Sequence, residues 1–415
     1  MKPIHKYSFT ALATVLMSNF AFSQGNTSLN DQKAELNTIT TAVPFLSITP
    51  DARGGALGDC GAATSPDLHF MHFNPAKLAF LDKPYGFALD YTPWLRALVP
   101  DINLAYVTAY TKFGKKQDQG IGASLRYFNM GDITFTDNTG NNIGQYRPYE
   151  MAVDVNYARK LSKEFSGSIA LRYIYSNLTG GYSVGGTGSA GTAVAADIAF
   201  FYQSHKVKLG SKQAIITAGL NISNIGSKVS YSTSKTQRDF LPQNMKLGAG
   251  LKILLDDHNS VAFYLDINKL LVPTPPVYKV DRQGQIMTNA DGTKIIEKGK
   301  DPNVGTIGGI FQSFGDAPFG IKEELAEYNL CGGLEYSYNS LFMVRAGYFN
   351  ESKWKGYRKY ITLGIGFKYS VFGLDFAYLI PATQGVRNPL ENTLRFTLSF
   401  DFNKAKAKPE NEDSN

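Results

Sequence analysis

The stretch that decides the fold runs Met245-Lys246-Leu247-Gly248-Ala249-Gly250-Leu251-Lys252-Ile253-Leu254-Leu255-Asp256. Taken at every second residue, Met245, Leu247, Ala249, Leu251, Ile253 and Leu255 form one apolar face. Lys246, Gly248, Gly250, Lys252 and Asp256 form the other, which is small and charged. Successive side chains of a strand point to opposite faces, so this is a two-faced strand of the length that crosses a bilayer. Segment 165–176 repeats it, with Phe165, Ile169, Leu171, Tyr173 and Tyr175 opposite Ser166, Ser168, Arg172 and Ser176. The same holds near the C-terminus, where Leu394, Phe396, Leu398, Phe400 and Phe402 oppose Arg395, Thr397, Ser399 and Asp401.

Working outward, the alternation places strands near 85–91, 102–113, 120–130, 149–160, 165–176, 191–204, 214–225, 244–256, 261–270, 328–338, 341–349, 359–369, 372–379 and 393–402. Fourteen is an even number, which returns both ends of a barrel to one side of the membrane. Connections 114–119, 161–164, 205–213, 257–260, 339–340 and 370–371 are short, whereas those of opposite parity are mostly longer and glycine-rich. The expected fold is therefore an all-β transmembrane barrel of about 14 antiparallel strands over 85–402. Its apolar faces meet outer-membrane lipid and its small and charged faces meet the lumen.

Composition agrees. Of 415 residues, 13% are aromatic, 40 are glycine and only 19% are charged, against about 25% charged in an average chain. Mean hydropathy is −0.19 because the two faces of each strand average out. Two cysteines exclude a disulfide scaffold or a thiolate zinc cluster. Beyond the N-terminus no apolar run approaches the ~20 residues of a spanning helix. The formal charge of +7 is scattered, so nucleic acid is not an expected partner.

Residues 1–23 read as a signal peptide, with Lys2 and Lys6 ahead of the apolar run Phe9–Phe22 and small residues in Ala21-Phe22-Ser23. Residues 24–84 do not alternate and are read as an N-terminal segment with a hatch folded into the lumen. Residues 403–415 form a polar tail in the periplasm.

The hatch carries Pro50-Asp51-Ala52-Arg53-Gly54-Gly55-Ala56-Leu57-Gly58-Asp59, Thr64-Ser65-Pro66-Asp67 and Asn74-Pro75-Ala76-Lys77. The run Ala52–Gly58 followed by Asn74-Pro75-Ala76 resembles the hatch signature of the FadL-like channels for long-chain fatty acids and other hydrophobic compounds. The fuller string, with Tyr91-Thr92-Pro93-Trp94-Leu95-Arg96, resembles the PorV (LptO) family of FadL-like outer-membrane proteins in type IX secretion. That resemblance implies a non-enzymatic role. Such proteins bind cargo through its C-terminal signal domain at the translocon (SprA, or Sov) and pass it to the PorU sortase and attachment complex. The alternative is a FadL-type channel, which would need an apolar lumen pocket.

Several residues are candidates for this chemistry. The apolar stretch Val304–Ile321, with Ile307, Ile310, Phe311, Phe314 and Phe319, is expected either to cap the barrel mouth or to meet translocon or cargo. Pro93, Trp94 and Leu95 form a second expected partner-binding loop, or an interfacial aromatic anchor. Asp51, Arg53, Asp59 and Lys77 are expected to pair with one another and with lumen-facing groups, holding the hatch in place. His69 and His72 stand at i, i+3 without a third ligand, so no metal is expected. No cofactor or catalytic constellation is expected either. Cys60 in the hatch and Cys331 on an inward strand face could pair in an oxidising compartment, which sequence leaves open.

Overall fold

Strand Tyr85–Pro93 pairs on one side with Ile102–Phe113 and on the other with Leu394–Phe402, so the first and last strands of the barrel meet. In this computed structural model the remaining strands follow in chain order, each antiparallel to the next, and the sheet closes with fourteen. They are β1 (Tyr85–Pro93), β2 (Ile102–Phe113), β3 (Gln119–Met130), β4 (Tyr149–Lys160), β5 (Phe165–Asn177), β6 (Gly191–Gln203) and β7 (Lys212–Gly226). The second half comprises β8 (Asn244–Leu254), β9 (Asn259–Leu270), β10 (Tyr328–Tyr338), β11 (Phe342–Asn350), β12 (Lys359–Tyr369), β13 (Phe372–Pro381) and β14 (Leu394–Phe402). The structure describes residues 37–96, 99, 101–136, 139–178, 180, 189–232, 238–383 and 390–403, all within one unit that starts at Asn37. The expected signal peptide, the start of 24–84 and the tail after Asn403 lie outside the described residues.

Burial follows the period of two. On β3, Ile121, Leu125 and Tyr127 are exposed on the outer face, while Ser124, Arg126 and Phe128 are buried on the inner one. On β5, Phe165, Ile169, Leu171 and Tyr173 face out, and Ser166, Ser168, Arg172 and Ser176 face in. A soluble sheet would invert this assignment; a lipid-facing barrel requires it. Aromatic rings gather at both rims: Tyr127, Tyr149 and Tyr175 at the outer ends of β3 to β5, and Tyr85, Phe87, Phe400 and Phe402 along the seam between β1 and β14.

Strand ends differ from the sequence expectation by a residue or two. The segment 245–256 ends as a strand at Leu254, because Leu255 and Asp256 turn back to hydrogen-bond with the Asn259 carbonyl. β7 carries a bulge between Ile222 and Ile225, with Asn224 at φ +62°.

Candidate functional site

Residues 37–84 pack against the inward faces of strands from around the whole barrel. Asp51 caps a short helix, α1 (Ala52–Ala56), by accepting from the Gly54 amide at 2.6 Å. The freed amides of the chain around it are met by the wall. Ala52 N donates to Thr397 Oγ1 at 2.9 Å, and Gly58 N donates to Thr362 Oγ1 at 3.0 Å. Gly61 N and Ala62 N both donate to Asp266 Oδ2, at 2.7 and 2.8 Å. Farther on, Asn74 caps the 3₁₀ turn Pro75–Phe80 through Ala76 N, and its Nδ2 donates to the Ala62 and Phe200 carbonyls. Pro75 and Ala76 offer their carbonyls to Asn156 Nδ2 and Ser166 Oγ. The buried backbone of the segment is thus met partly by its own turns and partly by the wall, as burial demands.

Glycines allow this approach. A Cβ on Gly219 would stand 1.9 Å from the Ala62 carbonyl oxygen, and one on Gly347 would stand 2.0 Å from Gly58 N. Gly248, from the segment quoted first, would meet the Asp266 carboxylate at 2.3 Å. Small residues on the inner face are thus the floor on which the segment lies.

The charged residues of the motif are all engaged. Arg53 makes two bonds of 3.0 Å to Glu335, pairs with Asp67, and donates to the carbonyl and hydroxyl of Ser65. Glu335 is shared with Arg345 at 2.7 Å, which reaches Asp375 in turn. Lys77 donates to Gly61 O at 3.1 Å and Thr64 Oγ1 at 2.8 Å, with Asp67 at 3.9 Å. Asp59 accepts from the Tyr360 hydroxyl and lies 3.7 Å from Arg395. The chain folds these groups into contacts with residues hundreds of positions away, which no spacing in the sequence announces.

His69 and His72 part company. His69 Nε2 lies 3.1 Å from Asp90, and Nδ1 lies 3.8 Å from Asp51. Burial pulls its pKa down, but Asp90, Asp51 and Asp67 outweigh that and raise it to about 10. A histidine held above its unfolded value stabilises the fold fully below pH ~6.5, and that contribution fades as pH rises through about 10. His69→Gln should therefore destabilise the protein at pH 7 by more than at pH 10. Thermal unfolding in detergent at the two pH values checks this; an equal loss at both would refute it.

Cys60 and Cys331 are free thiols, both buried. They are neighbours across the boundary between segment and wall. Cys331 Sγ accepts from Asn268 Nδ2 at 3.1 Å, and Cys60 Sγ points toward the Tyr264 carbonyl at 4.0 Å. The two thiols stand unlinked in this structure, side by side at that boundary.

Outside the lumen, 271–327 forms two distinct pieces. The first is a hairpin built on Val277–Tyr278 and Ile296–Lys298, prolonged by bridges Val280–Ile286 and Thr288–Lys294. The second holds helices α2 (Thr306–Gln312) and α3 (Ile321–Ala326). α3 is bolted to the rim by its acidic residues, and α2 is held by Thr306 and Gly309. Lys269 binds Glu324 and Glu327 at 2.9 and 2.6 Å, and Lys355 binds Glu323 and Glu327 at 2.7 and 3.0 Å. Thr306 Oγ1 donates to the Gly226 carbonyl at 2.9 Å, and Gly309 abuts Phe240 and Pro273. Their apolar side chains are left outside: Phe311 and Ile321 are 75% exposed, with Leu325 at 64% and Ile307 at 58%. Phe314 and Phe319 are exposed too, while Ile310 is half-buried. Leu325 and the clamping Glu323, Glu324 and Glu327 escaped the sequence reading; the i, i+4 pair Ile321 and Leu325 was the available signal. By contrast, Pro93, Trp94 and Leu95 do not stand clear. Trp94 packs against two apolar clusters, one holding Phe45 and Leu104 and the other Phe349 and Tyr360.

A closed fourteen-strand barrel with lipid-facing apolar rows defines an integral outer-membrane protein. The chain belongs to the PorV family: the family described as "Type IX secretion system protein PorV" matches residues 30–277. It is accordingly an outer-membrane protein of type IX secretion. Solved structures of similar architecture include the Ralstonia pickettii toluene transporter TbuX, at 13% identity and TM-score 0.44, covering 86% of this chain and 98% of that one. The Pseudomonas putida toluene transporter TodX gives 12% identity and TM-score 0.47, covering 85% and 99%. A Pseudomonas aeruginosa FadL homologue gives 10% and 0.41, covering 86% and 99%. No curated protein matches the chain.

Proposed function

We propose that this protein binds secreted cargo through the cargo's C-terminal signal domain at the type IX translocon and carries it to the sortase and attachment complex. The role is non-catalytic, and the inner segment acts as a plug that keeps the barrel from leaking. The observation that carries this reading is the outer helical pair. Four acid–lysine contacts hold its polar side to the rim while Ile307, Phe311, Phe314, Ile321 and Leu325 face outward. Apolar side chains fixed outside the spanning strands, on two short helices of which α3 is clamped by its acids, favour a protein partner. A channel for hydrophobic compounds is less well supported. In the outer lumen Phe45, Leu46, Leu104, Phe128 and Ile174 pack on one another, and the cavity toward the shorter turns is walled by Arg53, Asp67, Glu335, Arg345 and Asp375.

Phe311→Asp combined with Phe314→Asp is expected to cut recovery of translocon and cargo signal domain in affinity pull-downs by at least tenfold. The barrel should still show heat-modifiable migration on gels. Undiminished recovery of both partners would exclude the helical pair as the docking surface.

A further inference from the structure

A second cavity, of about 100 Å³, lies in the outer half of the lumen between the inner segment and the outer ends of β7 to β11. Arg358 stands on its wall, with a side chain 48% exposed. That is room for several water-sized groups, and so for one tetrahedral oxyanion.

Its wall holds donors without partners. Arg126 Nη2 lies 2.8 Å from His72 Nδ1; a guanidinium only donates, so Nδ1 accepts. Burial, then Arg126, Lys246, Arg172 and Arg395, hold His72 well below the usual imidazole pKa. The ring is neutral and its proton sits on Nε2, which is buried and unpartnered among the described residues. Lys246 also lines the cavity; it lies over the Phe73 ring at 5.2 Å and meets no carboxylate among the described residues. The other charges there are matched. Arg172 is paired with Asp154 and Asp197, Arg358 with Glu351, and Asp59 with Tyr360 and Arg395. On that count four cations, Lys246 included, face four carboxylates, and Lys246 is the cation among them that touches no carboxylate among the described residues.

It also holds acceptors without partners. Asn268 Oδ1 and Asn329 Oδ1 are buried there with nothing to accept from among the described residues. A site offering both an ammonium with an imidazole N–H and two bare amide oxygens is complementary to an anion that carries its own hydroxyl. We propose that this cavity binds a phosphate group in a protonated form, its oxygens toward Lys246 and His72 and its hydroxyl toward the amides.

Titration of inorganic phosphate into the folded full chain in detergent, followed by calorimetry, tests this. Saturable binding is expected, at least tenfold weaker in Lys246→Met and recovered in Lys246→Arg. Sulfate, which has the same shape without the proton at neutral pH, should bind at least fivefold more weakly than phosphate. Glycerol phosphate distinguishes the sources: affinity equal to or above that of phosphate marks a phosphomonoester such as a lipid headgroup, and lower affinity marks the free ion. No saturable binding, or equal affinities for phosphate and sulfate, would overturn the proposal. Should Lys246→Met not fold, His72→Phe serves, and unchanged phosphate affinity there counts against it equally.

Discussion

Gly347→Val should release the inner segment from the wall while leaving the barrel closed. A Cβ at this position would stand 2.0 Å from Gly58 N and 2.2 Å from the Leu57 carbonyl carbon. Overpacking usually costs about 1–3 kcal/mol where side chains can give way. Here the two nearest atoms it would strike are backbone, and Gly58 is already fixed at φ +69° against Tyr348. The outcome is undocking rather than adjustment. Trypsin should then cut the folded protein near Arg53 or Lys77 at least ten times faster than it cuts the unsubstituted protein. Retained protection would show that the wall can yield after all.

Arg53→Ala carries the next largest effect. It removes the two bonds to Glu335 and a partner of Asp67, leaving the Glu335 carboxylate buried and that of Asp67 partly so. Breaking one side of a buried ion pair typically costs about 3–5 kcal/mol. Glu335 keeps Arg345 and Asp67 keeps Lys77 at 3.9 Å, which places the expected loss near the lower end. The sharper test is the pair Arg53→Met with Glu335→Gln, which withdraws both charges. Urea unfolding should show the double variant more stable than Arg53→Met alone. Equal stabilities would mean that the arginine acts through packing and not through its charge.

The barrel was legible because lipid imposes a period of two on every strand, and the outer rows of β3, β5 and β8 repeat it without interruption. Residue 359 to residue 369 was placed to the residue for that reason, and 149–160 likewise. The inner contacts were not legible. An inward Glu335 or Asp266 looks the same in sequence whether it faces water, another strand or the inner segment, and only closure of the sheet brings Glu335 to Arg53. The same limit hid the split between His69, held by carboxylates, and His72, held by an arginine. Trp94 misled for a related reason: a proline-tryptophan tip suits a membrane interface or a partner, but the apolar lining around Phe45 and Phe349 gave it a nearer place to bury its ring.

The seam between Tyr85–Tyr91 and Phe396–Phe402 has a bearing on how the molecule is made. Its two halves are separated by nearly the whole chain, so the ring stays open until the final strand has been delivered. Residues 37–84 bond to Thr397 of that last strand as well as to Thr362, Asp266 and Asn156 of earlier ones. The inner segment therefore gains its full set of wall partners only when the ring closes, and a chain that loses its C-terminal strand leaves both an unclosed edge and an interior short of one wall.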